Sequence, residues 1–237
     1  MNQTFRFNGA LPLVVIALFA ILLILLIPLL ILGLAGAAFA RLGFSFLEAI
    51  TVIVLMIIGY FINIPLWTVP DSVIPAKSNE ETVFDAFTGE PADTGNSSIR
   101  ITLNLGGAVI PAAISGYLLY QIRGVGAGQI YLPLVVCFVA VTLIVVLSTK
   151  FLSPWRIGAP LIFPSLAATG CGFLLNGGIG LEAAVTAFVG GTTGIVLGAT
   201  ASSLWQEKNL GLRQISIGGT GMFGPVLLCA LLSALIA

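Results

Sequence analysis

Histidine is absent from all 237 positions, and lysine, arginine, aspartate and glutamate together fill only eighteen of them. The first absence removes imidazole bases, Ser-His and Cys-His nucleophile pairs, and histidine ligands to zinc or haem. Three cysteines occur, Cys137, Cys171 and Cys229, each alone inside an apolar run, where a free thiol behaves as a small hydrophobe. Neither a disulfide nor a metal centre is expected from that spacing, and no cofactor is called for. Nine basic and nine acidic residues cancel, so nothing points to a nucleic-acid partner.

What fills the space instead is oil. From Gly9 to Ala40 there are thirty-two consecutive residues without a charge, more than the ~20 a helix needs to cross a hydrocarbon core. The stretch is too long for the core of a secretion signal and has no small-x-small cleavage pattern behind it, so it reads as a permanent helix. With a mean hydropathy of +1.14, the whole chain reads as an integral membrane protein. It is expected to form one polytopic domain, residues 1–237, with residues 70–99 as an acidic solvated loop. Between Asp71 and Arg100 that loop carries six acids against two bases. Asn96-Ser97-Ser98 within it matches a glycosylation sequon.

The expected architecture is all-α, with about seven transmembrane helices and one or two short extended Gly-Gly segments near the inner face. Asn8 and Pro12 open the first helix, which runs to about Leu34 with a kink at Pro28. Ser45 and Glu48 form a capping box ahead of the second, which enters the apolar run Ala49 to Val69 and ends at Phe61-Ile62-Asn63-Ile64-Pro65-Leu66-Trp67. The others are placed after Gly106-Gly107 to Ile122, Tyr131 to Lys150, Leu161 to Leu175, Leu181 to Leu204, and through Pro225 to the end. Ile99, Ile101, Leu103 and Leu105 alternate with Arg100, Thr102 and Asn104, a period of two that marks extended chain. Ile215-Ser216-Ile217 repeats it briefly, and each segment leads into paired glycines. Entering from one face, the two are able to pair as a short two-stranded element.

Seven crossings put seven of the nine basic residues on one face. The basic-residue rule then makes the N-terminus and acidic loop cytoplasmic and the C-terminus external. Followed by direction, the helices bring polar residues to one depth near that face. The candidate ligand-binding residues are Asn63, Asn104, Gly106, Gly107, Thr200, Gly218, Gly219 and Thr220. The amides and hydroxyls would supply hydrogen bonds and the glycines close backbone approach. The plainer reading is that the glycines pack helices and the asparagines bond freed carbonyls. No ionisable side chain is placed deep in a helix, so a proton relay is not expected.

At Phe61-Ile62-Asn63-Ile64-Pro65-Leu66, Asn104-Leu105-Gly106-Gly107-Ala108-Val109-Ile110-Pro111 and Ser216-Ile217-Gly218-Gly219-Thr220-Gly221, the chain resembles an uncharacterised family of multi-pass membrane proteins from archaea and bacteria. The resemblance covers most of the length and implies aspartates after Gly-Ala in the sixth helix and after the last Gly-Gly motif in many relatives. That pattern is similar to aspartyl intramembrane proteases, in which paired carboxylates activate water. Here the positions read Gly198-Ala199-Thr200 and Met222-Phe223-Gly224-Pro225, which supply no general base.

Two functional readings follow. The first is a non-enzymatic membrane protein whose inner-face polar cavity binds or passes a small neutral solute or lipid headgroup. The second is a catalytically degenerate protease-like scaffold or assembly subunit that binds transmembrane segments. Expected partners are the bilayer and a membrane protein or second copy.

Overall fold

A computed structural model describes residues 10–70, 98–124, 127–151, 159–210, 214–219 and 222–236. Most of the acidic loop, its sequon and Thr220 lie outside these residues. Among them are seven α-helices: α1 (Ala10–Arg41), α2 (Phe46–Gly59), α3 (Ile110–Ile122), α4 (Ala127–Phe151), α5 (Ala159–Leu175), α6 (Leu181–Leu210) and α7 (Phe223–Leu235). Three strands, β1 (Asn63–Pro70), β2 (Ser98–Asn104) and β3 (Gln214–Ile217), form one sheet in the order β1-β2-β3. A π-helical turn, Leu105–Val109, carries β2 into α3.

The helical body agrees with the sequence reading; the sheet enlarges on it. β2 and β3 do pair, in parallel, with Thr102 opposite Ser216. The unexpected member is β1. The sequence ends the second helix within Phe61 to Trp67 without a strand there, but α2 stops at Gly59 and the chain is extended from Asn63. Prolines at 65 and 70 account for this, because each disfavours helical backbone in the residue before it and lacks the N–H a helix requires. α2 begins as expected: Ser45 Oγ accepts from Glu48 N–H at 3.3 Å while Glu48 Oε2 accepts from Ser45 N–H at 2.8 Å. α1 continues past Leu34 to Arg41 because its last turns are packed. Gly36 lies under the Phe46 ring, and the buried Phe39 meets Phe188 edge to face at 6.2 Å. From Val14 to Leu26 the described side chains of α1 are exposed.

α6 is the axis of the bundle, with every residue from Ala183 to Thr192 buried. Gly190, Gly194 and Gly198 recur every fourth residue and therefore form one ridge. A Cβ on them would stand 2.9 Å from Cys137 Cβ, 3.0 Å from Phe138 O and 2.9 Å from Val145 Cβ. This is backbone-level contact with α4, of the kind small residues allow between helices. Gly191, on another side, lies against Ala168 of α5 and Cys229 of α7. Two of the isolated cysteines thus serve as filling around α6.

Contacts at the helix ends show the direction of each helix. At one end Arg41 Nη1 donates to Leu235 O, Gly180 N–H to Ile236 O, and Gly43 lies on Gln121. At the other, the sheet end, Tyr60 O meets Asn104 and Thr149 Oγ1 donates to Ser202 Oγ. Successive helices therefore run in alternating directions, and α1 and α7 both finish at the end away from the sheet. Four helical stretches are long and apolar enough to cross a membrane: Val14–Arg41, Leu105–Ile122, Gln129–Thr149 and Leu181–Leu204. α2, α5 and α7 are shorter apolar helices.

The glycine ridge yields a test. Gly194→Leu forces a branched side chain into the α4 backbone and is expected to lower stability by about 1–3 kcal/mol, the usual range for overpacking. Gly116→Ala places its methyl in open space and should leave thermal unfolding in detergent unchanged or slightly raised. Equal melting temperatures for the two variants would refute the packing role.

Candidate functional site

A helix leaves its last carbonyls without partners, and a helix broken inside a protein must find others for them. α2 breaks at Gly59, and Asn104 supplies what the break lacks. Its Nδ2 donates to Tyr60 O at 2.6 Å and to Asn63 Oδ1 at 3.0 Å, while its Oδ1 accepts from Gly107 N–H at 2.8 Å. One carboxamide thereby caps the π-helical turn, closes the end of α2 and fixes the start of β1. Asn104 is 1% exposed; its bond from Gly107 is fully buried and the other two are partly so.

Asn63 extends the network. Its Oδ1 takes a second bond, from Ser216 Oγ at 2.8 Å, which ties β1 to β3 across β2. Beside it Thr102 Oγ1 donates to Ile215 O at 3.3 Å. Register explains the convergence: residues opposite each other in a ladder share a face, and Asn63 pairs with Asn104 while Thr102 pairs with both Pro65 and Ser216. The polar face of β2 is the buried one. Thr102 and Asn104 are 3% and 1% exposed, whereas Ile101 and Leu103, which alternate with them, are half-buried.

The glycines make this proximity attainable. A Cβ on Gly106 would fall 2.0 Å from Met56 O, and one on Gly107 would fall 1.9 Å from Gly218 O. Gly218 has φ of +76° and Gly219 lies on Ser216 Oγ. A glycine at 218 therefore answers two demands, left-handed backbone and contact with another backbone. The junction is closed by the Tyr60 and Phe223 rings, 4.7 Å apart.

The structure thus gathers six of the sequence-derived candidates: Asn63, Asn104, Gly106, Gly107, Gly218 and Gly219. They touch one another directly. Thr200 is not joined to them by a hydrogen bond; its Oγ1 donates to Val196 O at 2.7 Å within α6. Ser216, Thr102 and the Tyr60 carbonyl are members that the sequence reading leaves out of its candidate set. Ser216 and Thr102 sit at alternate positions of strands already recognised, so register carries the signal for them. Nothing in the sequence marks a particular backbone carbonyl. A cavity of about 290 Å³ is found at the opposite end, lined by residues including Gln121, Asn176 and Glu182. The junction consists of amides, hydroxyls and backbone, so what it offers is hydrogen bonding without proton transfer. Among the described residues no group of three or more histidine, cysteine or acidic side chains is placed to hold a metal ion.

Residues 57–236 match the model of the family described as "Protein of unknown function (DUF1614)". The chain belongs to the DUF1614 family. The resemblance read from the Asn-Pro and Gly-Gly motifs holds to that extent. The matched stretch contains the whole junction and starts within the last turn of α2, after α1. No curated protein and no solved structure matches the chain.

Asn104→Leu orphans Tyr60 O and Gly107 N–H, and at ~1–3 kcal/mol for each buried unsatisfied group the loss should be roughly 2–6 kcal/mol. Asn104→Asp separates the donor role from size. A buried carboxylate faces Tyr60 O with no proton to give, and burial raises the carboxyl pKa above its unfolded value of ~3.9. The protonated form, stabilising through a restored donor, is fully present below the unfolded value and lost as pH rises through the folded one. Stability of Asn104→Asp relative to the native chain should therefore recover on acidification. A pH-independent difference in melting temperature would contradict the donor assignment.

Proposed function

We propose that this DUF1614 protein is a non-enzymatic, multi-pass membrane protein whose sheet end binds a polar ligand, a small neutral solute or a lipid headgroup, at the rim of the asparagine–glycine junction. The observation that carries the reading is the state of Asn63. Its Oδ1 is held by Asn104 and Ser216, which fixes the orientation of the carboxamide. The side chain is nevertheless exposed, and its Nδ2, with two N–H donors, has no bond to another described residue. An amide whose oxygen is fixed and whose nitrogen faces outward is a preorganised donor.

Placement in a bilayer is supported by the four long apolar stretches, by the bare flank of α1 and by a strand that buries its polar residues more deeply than its apolar neighbours. Depth can be estimated. α2 has 14 residues, about 21 Å at 1.5 Å per residue, and the hydrocarbon core is about 30 Å. Extended chain adds ~3.3 Å per residue, so the inner boundary falls within the first residues of β1, near Asn63 and short of the exposed Trp67. All seven helices would then traverse, the three short ones completed by non-helical chain at the sheet end. Such chain is tolerated in a membrane only where its backbone is satisfied by protein or water, which is what the junction provides. By the basic-residue rule the sheet end faces the cytoplasm.

The close contact of Gly107 with Gly218 argues for a rim site over passage through the centre. The scaffold reading draws on a different observation, the exposed Ile64, Leu66 and Trp67 of β1, which another membrane segment is able to cover.

Asn63→Asp keeps the acceptor oxygens and removes both donors, so it leaves Asn104 and Ser216 satisfied. Native mass spectrometry of the detergent-solubilised protein should show a co-purified small molecule on the native chain, reduced at least fivefold on Asn63→Asp at equal melting temperature. A bare native chain, or full occupancy on the variant, would refute the rim site. Stoichiometric retention of a protein partner instead would favour the scaffold reading.

A further inference from the structure

The outer edge of β1 is selective in the hydrogen bonds it can make. β1 has one neighbour in the sheet, β2. Leu105 N–H donates to Ile62 O at 3.0 Å, and in an antiparallel ladder alternate residues turn both backbone groups toward the neighbour or away from it. Ile62 and Ile64 therefore face β2, and Asn63 and Pro65 face outward. The register shifts between Pro65 and Trp67, after which Trp67 pairs with Ile101 and Thr68 with Arg100. The next outward residues are then Thr68 and Pro70. Both prolines of the strand thus fall at positions that owe β2 no N–H, which is what allows proline in a strand.

The consequence concerns the partner. The outward residues Asn63, Pro65, Thr68 and Pro70 present four carbonyls, but only Asn63 and Thr68 present an N–H. An added peptide strand needs donors and acceptors in alternation, and edge prolines suppress such addition. An acceptor-rich edge suits a partner that brings donors. It is flanked by exposed apolar side chains, Phe61 at 78%, Ile64 at 40% and Trp67 at 57%, which suit acyl chains and the headgroup boundary. Carbonyl oxygens also favour a charged donor, because a hydrogen bond from a cationic N–H is stronger than one from a neutral group.

We infer that the edge of β1 is a binding site for phospholipids with a primary-ammonium headgroup, the ammonium donating to the outward carbonyls and the Asn63 amide donating to the phosphate. This rests on the rim reading and names its ligand class. A quaternary ammonium has no N–H to give. A glycerol headgroup has hydroxyl donors but no positive charge to set against the carbonyl oxygens.

The full chain carrying Trp155→Phe and Trp205→Phe keeps Trp67 as its one tryptophan. It is placed in nanodiscs of equal parts of phosphatidylethanolamine, phosphatidylcholine and phosphatidylglycerol, with bromine on the acyl chains of one species at a time. Brominated phosphatidylethanolamine should quench Trp67 at least twofold more than either other lipid, and the excess should disappear in Asn63→Asp. Equal quenching by the three lipids, or an excess with phosphatidylglycerol, overturns the headgroup assignment while leaving the membrane placement intact. Absence of quenching by any lipid overturns the placement as well. Thr68→Cys guards against the alternative occupant: disulfide-linked dimers forming in the native background would mean that a second copy pairs along this edge and the lipid proposal is wrong. Such dimers should appear only when Pro65→Val and Pro70→Val restore the missing N–H groups.

Discussion

A carboxamide with both its nitrogen and its oxygen engaged holds the sheet end together. Asn104 reaches back to a carbonyl left open by the end of α2, sideways to the side chain that starts β1, and forward to the N–H that opens the π-helical turn. Two of these targets, the Tyr60 carbonyl and the Gly107 N–H, are backbone groups that a continuous helix would have satisfied internally. Breaking a helix where water is excluded costs several kcal/mol per unsatisfied group, so the break persists only with a compensating partner. Asparagine suits this better than aspartate or leucine because it has donors and acceptor on one planar head and carries no charge.

Glycine plays two separable parts around that head. Along α6 it is a packing device: Gly190, Gly194 and Gly198 let two helix backbones touch, and any small residue would serve less well by degrees. At the junction it is a condition of existence. A methyl at Gly107 would occupy the same space as the Gly218 carbonyl, and one at Gly106 the space of the Met56 carbonyl. The even alternation of Ile99 to Leu105 brings β2 to a point where its continuation has to pass within backbone distance of both α2 and β3. The paired glycines after each extended segment are the two sides of that crossing, which is why the same motif occurs twice.

Much of this was legible in the residues. The period of two in β2 and β3, the capping box at Ser45 and the gathering of Asn63, Asn104 and the two Gly-Gly pairs all follow from local pattern and direction of travel. What escaped was β1. Phe61 to Trp67 is apolar enough to read as the end of a helix, and only the spacing of Pro65 and Pro70 argues for extended chain. Scattered polar groups at one depth suggest a cavity, yet whether they enclose space or bond each other depends on backbone separations that no sequence period reports. Thr200 shows the limit from the other side. It has the correct depth and chemistry, but its hydroxyl is taken up by its own helix, the common fate of a threonine in an apolar helix.

The junction and the exposed edge are two aspects of one construction. Where α2 ends, the chain switches to extended form, gaining more than twice the length per residue. Extended form on the rim of a bundle has a free edge, and a free edge in or near a bilayer presents carbonyls that something must meet. Proline at 65 and 70 halves the outward N–H groups without disturbing the ladder to β2. The edge is left unsuited to another strand but still polar, and that asymmetry arises directly from how the sequence ends its second helix. Such an edge is suited in its chemistry to meeting a hydrogen-bond donor. The most specific chemistry on this chain therefore belongs to its backbone, with side chains acting mainly to hold that backbone in position.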